Sequence, residues 1–173
     1  ETRPIAGTRR RGKDAREGYV NMDIRKTSGV DVVWDLNKLP YSFKKEQFEE
    51  ILAYNVLEHL ENPCSVLEEL HRILKSGGVL KITVPHFSSW TAWQDPTHKR
   101  PFGYDSFAYF SEDTTKHFCG LKDQEHFFQF KFSKIKRKLI FSKGLHLWNY
   151  FIEPFANAFP YLWEHTFLKN LFP

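Results

Sequence analysis

The sequence predicts an α/β fold with a mostly parallel sheet, followed by a helical segment rich in aromatic residues. In the first half of the chain, short apolar runs rich in β-branched residues alternate with helical patterns, which is typical of βαβ units. One segment between these runs has a clear helical periodicity, and residues 145–173 place aromatic side chains at helical spacing. The length of 173 residues and the apolar fraction of 41% fit one domain, residues 1–173.

Four apolar runs predict strands and define a βαβ core over residues 19–85. The runs are YVNMDI (19–24), VDVVWDL (30–36), EEILAYNVL (49–57) and GVLKITVP (78–85). Between the last two, CSVLEELHRILKSGG predicts a helix whose apolar face comprises Val66, Leu67, Leu70, Ile73 and Leu74. Glu68 and Glu69 lie on its outer face, Lys75 lies near its end, and Gly77 or Gly78 is the predicted C-cap.

The rest of the chain divides into three segments. Residues 86–125 are rich in Asp, Ser, Thr, Pro, His and aromatic residues, which predicts a long functional loop with a short helix near 104–110. Residues 126–141 alternate apolar with basic side chains, as a solvent-facing strand or hairpin does. Residues 142–173 are predicted to form an aromatic helical cover, broken by Pro154 and Pro160.

Composition and charge narrow the class of protein only a little. The net charge of +4 permits attraction to phosphate, nucleic acid or anionic lipid without selecting among them. Cys64 and Cys119 are far apart and have no metal-like spacing, so neither a disulfide framework nor a zinc cluster is predicted. No apolar run approaches the roughly 20 residues that span a bilayer, and no signal-peptide region follows the charged N-terminus. These features predict a soluble, cytoplasmic protein.

Several motifs together carry a resemblance to a known family. NVLEHL, followed after a helix by ILKSGG, stands beside DVVWDLNKLPYSF and DPTHKRPF. These stretches resemble the class I S-adenosylmethionine-dependent methyltransferases, in particular the small bacterial methyltransferase-domain proteins of the type 11 group. The similarity spans roughly residues 12–141. It implies a Rossmann-like sheet with S-adenosylmethionine across the carboxyl ends of the first four strands, and methyl transfer to a small or glycan-like acceptor.

The resemblance also implies a set of cofactor-binding residues. Asp23 matches the acid that binds the ribose hydroxyls, since a carboxylate accepts two hydrogen bonds from a diol. An isolated Asp at a strand end also caps the next turn, and that alternative stays open. The resemblance places Asp35 and Leu36 beside the adenine and Asn55 at the amino-acid end of the cofactor. It places Val56 and Leu57 on the floor of the site.

The N-terminal region, residues 1–18, departs from the family pattern. The expected glycine loop falls on Arg9–Arg11 and Gly12, of which only Gly12 matches a cofactor-binding position. A Cβ in such a loop collides with the cofactor, so the arginines weaken binding unless the loop is rebuilt. ETRPIAG contains Pro4 and has few apolar residues for a buried central strand, and FLKNLFP provides no final edge strand. The first and last strands are therefore predicted to be absent or altered. A truncated or rearranged gene product, a partly non-native N-terminus and a sheet completed by another chain all stay open, and the exposed edges of such a sheet favour a homo-oligomer.

The loop PHFSSWTAWQDPTHKRPF resembles the one that closes over the methyl group in these proteins. The resemblance implies that His86, Asp95 and His98 deprotonate the acceptor. A plain Asp-Pro turn with a structural His98 is an equally open alternative. The same three residues, with or without His59, have suitable ligand types but no known metal spacing, so no metal site is predicted. Glu58 favours a helix N-terminus, and the adjacent His59, which is expected to face another way, fills the rim of the pocket or packs against the following loop.

Three alternatives to an active methyltransferase remain. The arginines are compatible with a non-catalytic remnant that acts as a binding or oligomerising module. They also form a basic cluster for a polyanion, but no nucleic-acid-binding fold or stacking motif accompanies it, so nucleic acid is not the expected partner. A peripheral membrane role would rest on aromatic residues near the C-terminus, which a packed helical cover explains better. These residues are Trp148, Phe151, Phe155, Phe159, Tyr161, Trp163 and Phe167.

Overall fold

A computed structural model describes residues 5–8, 17–113, 128–141, 149–166 and 168 of the protein. Contacts within the chain group the residues into two compact units. The first unit comprises Glu1–Pro85 and Asp95–Arg100, and the second comprises His86–Gln94 and Pro101–Pro173.

The first unit contains a five-stranded sheet whose strand pairs are all parallel. Its strands are β1 (Ile5–Thr8), β2 (Val20–Asp23), β3 (Val32–Val33), β4 (Phe48–Tyr54) and β5 (Leu74–Thr83). They lie in the order β3-β2-β1-β4-β5, so the direction of strand addition reverses between β1 and β4. This arrangement confirms the predicted α/β class and the Rossmann-like parallel sheet.

The prediction that the first strand is missing was wrong. β1 lies in the centre of the sheet, where Ile5 pairs with Val20 of β2 on one side and with Ile51 of β4 on the other. β1 is held by main-chain hydrogen bonds to a strand on each side. Such pairing does not depend on a long apolar run, so four residues are enough to form the strand. Pro4 precedes the strand and therefore removes no donor from it.

The predicted strand or hairpin at residues 126–141 is absent from its described part, residues 128–141. Only an isolated bridge between Ser111 and Phe132 pairs this stretch with another. The alternating phenylalanines serve aromatic packing instead: the Phe130 ring stacks on Phe110, with centroids 5.3 Å apart. Among the described residues after Thr83, none adds a strand to the sheet. The stretch FLKNLFP, where the final edge strand was expected to be missing, lies outside the described residues except for Leu168.

Helix α1 (Pro63–Ile73) confirms the predicted helix but ends earlier than expected. It begins after Asn62, whose side chain accepts a hydrogen bond from the Ser65 N–H at 3.2 Å. The predicted C-cap at Gly77 or Gly78 was wrong, because Leu74 is already extended and pairs with Phe48 as the first residue of β5. The helix and β4 bury the core of the unit, which includes Phe48, Ile51, Leu52, Leu57 and Ile73.

The second unit contains the helices α2 (Thr91–Gln94), α3 (Asn149–Ala158) and α4 (Pro160–His165), and a 3₁₀ turn (Ala108–Phe110). The 3₁₀ turn takes the place of the short helix predicted near 104–110. Pro154 lies inside α3 instead of ending it, whereas Pro160 starts α4. Trp163 is buried against the Phe141 ring, with centroids 5.2 Å apart.

In the described part of the chain, no helix combines the length and apolar character needed to cross a membrane.

Candidate active site

The carboxyl ends of β1 to β4 define a candidate site in the first unit. Parallel strands end at the same edge of a sheet, so Asp23, Asp35 and Asn55, which end or follow β2, β3 and β4, lie along one edge. In open α/β sheets, ligands bind at this edge where the strand order reverses. Here the reversal lies between β1 and β4, directly before Asn55. The structure thus brings the three polar residues of the predicted cofactor site to the expected edge.

Asp23 is the last residue of β2 and is 6% exposed. Its Oδ1 atom accepts a hydrogen bond from the Arg25 N–H at 2.8 Å, and its carbonyl accepts one from the Trp34 N–H at 2.9 Å. The turn-capping role considered for this residue is therefore present. A carboxylate accepts several hydrogen bonds, so capping with one oxygen is compatible with ligand binding by the other.

Asp35 and Leu36 lie in a tightly held turn after β3. The Oδ1 atom of Asp35 accepts hydrogen bonds from the Asn37 backbone at 3.0 Å and from its side-chain amide at 3.1 Å. The carbonyl of Leu36 accepts the Tyr41 hydroxyl at 3.0 Å. Both residues keep part of their surface exposed. Their turn is thus fixed while their side chains stay accessible.

Asn55 has a left-handed backbone, with a φ of 51°. Its N–H donates to the carbonyl of Thr83, the last residue of β5, at 2.8 Å. Outside glycine this conformation is uncommon, and it occurs most often for Asn and Asp. The next two residues, Val56 and Leu57, are 6% and 0% exposed. Leu57 therefore supports the site from the core, whereas Asn55 is the residue that turns the chain at the edge.

Residues 6–82 match the methyltransferase domain family. The match supports a class I methyltransferase-type domain in this part of the chain. The match includes all but the first residue of β1 and reaches into β5, and it contains Asp23, Asp35 and Asn55. It starts earlier and ends earlier than the residues 12–141 inferred from the sequence motifs, so residues 83–173 lie beyond it. No curated protein matches the chain.

Part of the predicted methyltransferase site lies outside the described residues. β1 ends at Thr8, immediately before Arg9. Gly12 and the arginines that replace the glycine loop belong to residues 9–16, which the structure does not describe. The assignment of Gly12 to the cofactor therefore stays a prediction.

Beyond the edge, a 3₁₀ turn (Leu57–His59) of the methyltransferase domain contacts the segment Asp95–Arg100. The Lys99 N–H donates to the Glu58 carbonyl at 2.7 Å, and the His59 and His98 rings meet edge to face with centroids 4.6 Å apart. Glu58 and His59 do not face apart as expected, because the Oε1 atom of Glu58 lies 4.0 Å from the Nε2 atom of His59. This cluster was not predicted from the sequence.

Two of the predicted catalytic residues, Asp95 and His98, belong to the first unit. The Oδ2 atom of Asp95 lies 3.9 Å from the Nε2 atom of His98. The Asp95 carboxylate also accepts the hydroxyl and the backbone N–H of Thr97, at 2.5 Å and 2.8 Å. These hydrogen bonds lower the pKa of Asp95. Asp95 thus has the turn-capping contacts of the structural alternative considered for DPTH.

The third predicted catalytic residue, His86, belongs to the second unit and contacts a residue that the sequence analysis missed. Its Nε2 atom lies 2.7 Å from the Oε1 atom of Glu164 in α4, and its Nδ1 atom lies 2.8 Å from the Ser88 hydroxyl. The Glu164 side chain is 11% exposed. The local sign of this contact in the sequence is that Glu164 is the single acidic residue in the segment PYLWEH.

Proposed function

We propose that this protein binds S-adenosylmethionine at the carboxyl edge of its sheet and transfers the methyl group to a small or glycan-like acceptor. The observation that carries the proposal is the left-handed Asn55 beside the reversal of strand order. A non-glycine residue held in this conformation favours a functional site over an ordinary strand end. When bound, the cofactor supplies an electrophilic methyl group on a sulfonium centre.

The donor and acceptor groups along the edge fit this cofactor. Asp23 offers a buried carboxylate with one oxygen committed to Arg25, which suits the vicinal diol of a ribose. Asp35 offers a half-exposed carboxylate for the amino edge of adenine, and Leu36 offers an apolar surface beside it. Asn55 offers its side-chain amide for the amino-acid end, since its backbone N–H already donates to the Thr83 carbonyl. These residues would align the reactants, and alignment accounts for much of the rate in a displacement of this kind.

His86 has the surroundings that a general base needs. The Glu164 carboxylate accepts the Nε2–H of the ring, which leaves Nδ1 as the basic nitrogen that accepts the Ser88 hydroxyl. A nitrogen held in this tautomer takes a proton from an attacking hydroxyl or amine. On these contacts within its own unit, we propose His86 as a candidate base beside the predicted Asp95 and His98.

Calorimetric titration with S-adenosylmethionine and S-adenosylhomocysteine tests the binding part of the proposal. The N-terminus of the protein is first verified by mass spectrometry, because the glycine loop lies there. We expect both compounds to bind, and D23N to weaken binding by at least about tenfold through the loss of a charge-assisted hydrogen bond. The matched control is E68Q on the exposed side of α1, which leaves binding unchanged. Failure of the wild-type protein to bind either compound would overturn the proposal and favour a non-catalytic use of the fold.

The variant H86N tests the catalytic part. With an acceptor that the wild-type protein methylates, formation of S-adenosylhomocysteine is expected to fall by about 10²- to 10⁴-fold. Titration with the cofactor should give the wild-type affinity, which separates a loss of the base from a loss of binding. A variant that turns over at the wild-type rate would remove His86 from the mechanism.

A further inference from the structure

Glu58, His59 and His98 bring two imidazoles and a carboxylate together in the first unit. One candidate ligand atom from each residue lies within 4.8 Å of the other two. Their side chains are 1%, 12% and 10% exposed, respectively. The cluster is thus a largely enclosed group of side chains of the types that bind metals. None of its three residues is among those assigned to the cofactor.

The Glu58 carboxylate is almost fully buried. An ionised carboxylate withdrawn from water is costly unless a cation or several donors lie next to it. Two histidines meet this requirement either by binding protons or by holding a divalent cation between themselves and the carboxylate. The second arrangement uses the ligand types that zinc and related ions prefer.

The surroundings of His59 favour the metal-binding arrangement. Its Nδ1 atom lies 3.2 Å from the carbonyl oxygen of Thr97 and 3.1 Å from the Thr97 hydroxyl, which itself donates to Asp95, so both oxygens are placed to accept a hydrogen from Nδ1. In that tautomer Nε2 carries no hydrogen, and it lies 4.0 Å from the Oε1 atom of Glu58. Metal-binding histidines almost always donate their other ring N–H in this way, because the contact fixes the tautomer and the ring orientation.

Two hydrogen bonds hold the segments that carry His59 and His98 together. The Lys99 N–H donates to the Glu58 carbonyl at 2.7 Å, and the Arg100 guanidinium donates to the Glu61 carbonyl at 2.6 Å. Ligands about 2.0–2.1 Å from a tetrahedral ion lie about 3.4 Å from each other. The ligand atoms therefore have to close by roughly an ångström, which side-chain rotations accomplish without moving the segments.

We infer that Glu58, His59 and His98 form a binding site for a divalent transition-metal ion of the zinc class. Three protein ligands leave a further coordination position for water or for an oxygen of another ligand. In this role His98 is a metal ligand instead of the base that the sequence predicted. The inference is independent of the proposed methyl transfer, since the protein can bind the metal whether or not it binds S-adenosylmethionine.

Titration of the chelator-treated full chain with Co²⁺, followed by displacement with Zn²⁺, tests the site. We expect one equivalent of Co²⁺ to give visible absorption bands that Zn²⁺ abolishes. In H59N and H98N the affinity should fall by at least about 100-fold, because a direct ligand is lost. H71N, which removes an imidazole from α1 outside the cluster, is the matched control and should bind as the wild-type protein does.

Thermal unfolding provides a second readout that also checks the fold of each variant. Zn²⁺ should raise the Tm of the wild-type protein and of H71N by mass action, and should leave the Tm of folded H98N unchanged. The inference is overturned if the wild-type protein binds no metal, or if H59N and H98N bind it as tightly as the wild type.

Discussion

The Nε2 atom of His86 lies 2.7 Å from the Oε1 atom of Glu164, so His86 is held to α4 within the second unit. Glu164 also accepts the Tyr104 N–H at 2.5 Å. Burial alone raises the pKa of Glu164, but the hydrogen bonds from His86 and Tyr104 outweigh it. The net effect is a pKa below the ordinary value, and the carboxylate stays ionised within the second unit.

This lowered pKa predicts a loss of stability in acid. Between the folded pKa and the ordinary value of 4.5, the unfolded chain binds more protons than the folded one, so the free energy of unfolding rises with pH there. The contribution is complete at neutral pH and is lost as the pH falls through the folded pKa. We expect E164Q to lower the free energy of unfolding by about 1–2 kcal/mol at neutral pH, with a difference that shrinks in acid.

Urea unfolding of the wild type and E164Q at neutral pH and at several values below 4.5 measures this difference. E68Q on the exposed side of α1 controls for the general loss of a negative charge. A difference between wild type and E164Q that is the same at every pH would contradict the assigned pKa shift.

Asn55 allows its backbone and side-chain roles to be separated. Because its φ is 51°, Ala at this position is strained, whereas Gly is not. We expect N55A to be less stable than N55G by about 1 kcal/mol in urea unfolding. Both variants should bind S-adenosylmethionine more weakly in calorimetry, since both lack the side-chain amide. Equal stability of the two variants would show that the left-handed backbone carries no strain.

Much of the first unit could be predicted because its signals are local. The apolar runs of β2 to β5 and the periodicity of α1 are contiguous in sequence, and the structure has these elements at the expected places. The errors arose where pairing between distant strands decides the outcome. The residues IAGT form a central strand because β2 and β4 flank them. Leu74 leaves the helical pattern because it pairs with Phe48.

The candidate site shows the same division. Asp23, Asp35 and Asn55 end or follow recognisable strands, so their shared edge follows from the parallel sheet alone. The contact between His86 and Glu164 joins residues 78 positions apart. The contact between the His59 and His98 rings likewise depends on the path by which the segment Asp95–Arg100 comes to lie against the first unit. No periodicity in the sequence specifies either approach, so these contacts required the three-dimensional structure.

Glu69 and Arg72 form a two-point ion pair that also holds the loop before β4. Oε1 and Oε2 of Glu69 accept Nη2 and Nε of Arg72 at 2.6 Å and 2.7 Å, and Oε1 accepts the Tyr41 N–H at 2.7 Å. Arg72 also donates to the Phe43 carbonyl at 2.9 Å. Contrary to the predicted outward position of Glu69, this side chain is buried. The guanidinium geometry is specific to Arg, so R72K should lower the free energy of unfolding by about 1–2 kcal/mol.

A double-mutant cycle with E69Q and R72K measures the coupling of this pair by urea unfolding. We expect a coupling free energy of about 1–3 kcal/mol. The exposed pair Glu49 and Lys75, 2.8 Å apart, is the matched control and should show a smaller coupling, because solvent screens it. Equal couplings for the two pairs would mean that the buried contacts of Glu69 add nothing to stability.

Gly77 and Gly78 are required for different physical reasons, which substitutions distinguish. Gly77 has a φ of 75° and open space around a Cβ, whereas a Cβ on Gly78 would lie 2.9 Å from the Lys75 carbonyl oxygen and 3.0 Å from that of Glu49. We expect G77A to cost about 1–2 kcal/mol through backbone strain, and G78A about 1–3 kcal/mol through overpacking of main-chain atoms. Asn tolerates the left-handed region, so G77N should recover part of the loss in urea unfolding. Asn is larger than Ala, so G78N should be less stable than G78A, and any recovery at position 78 would refute the steric explanation.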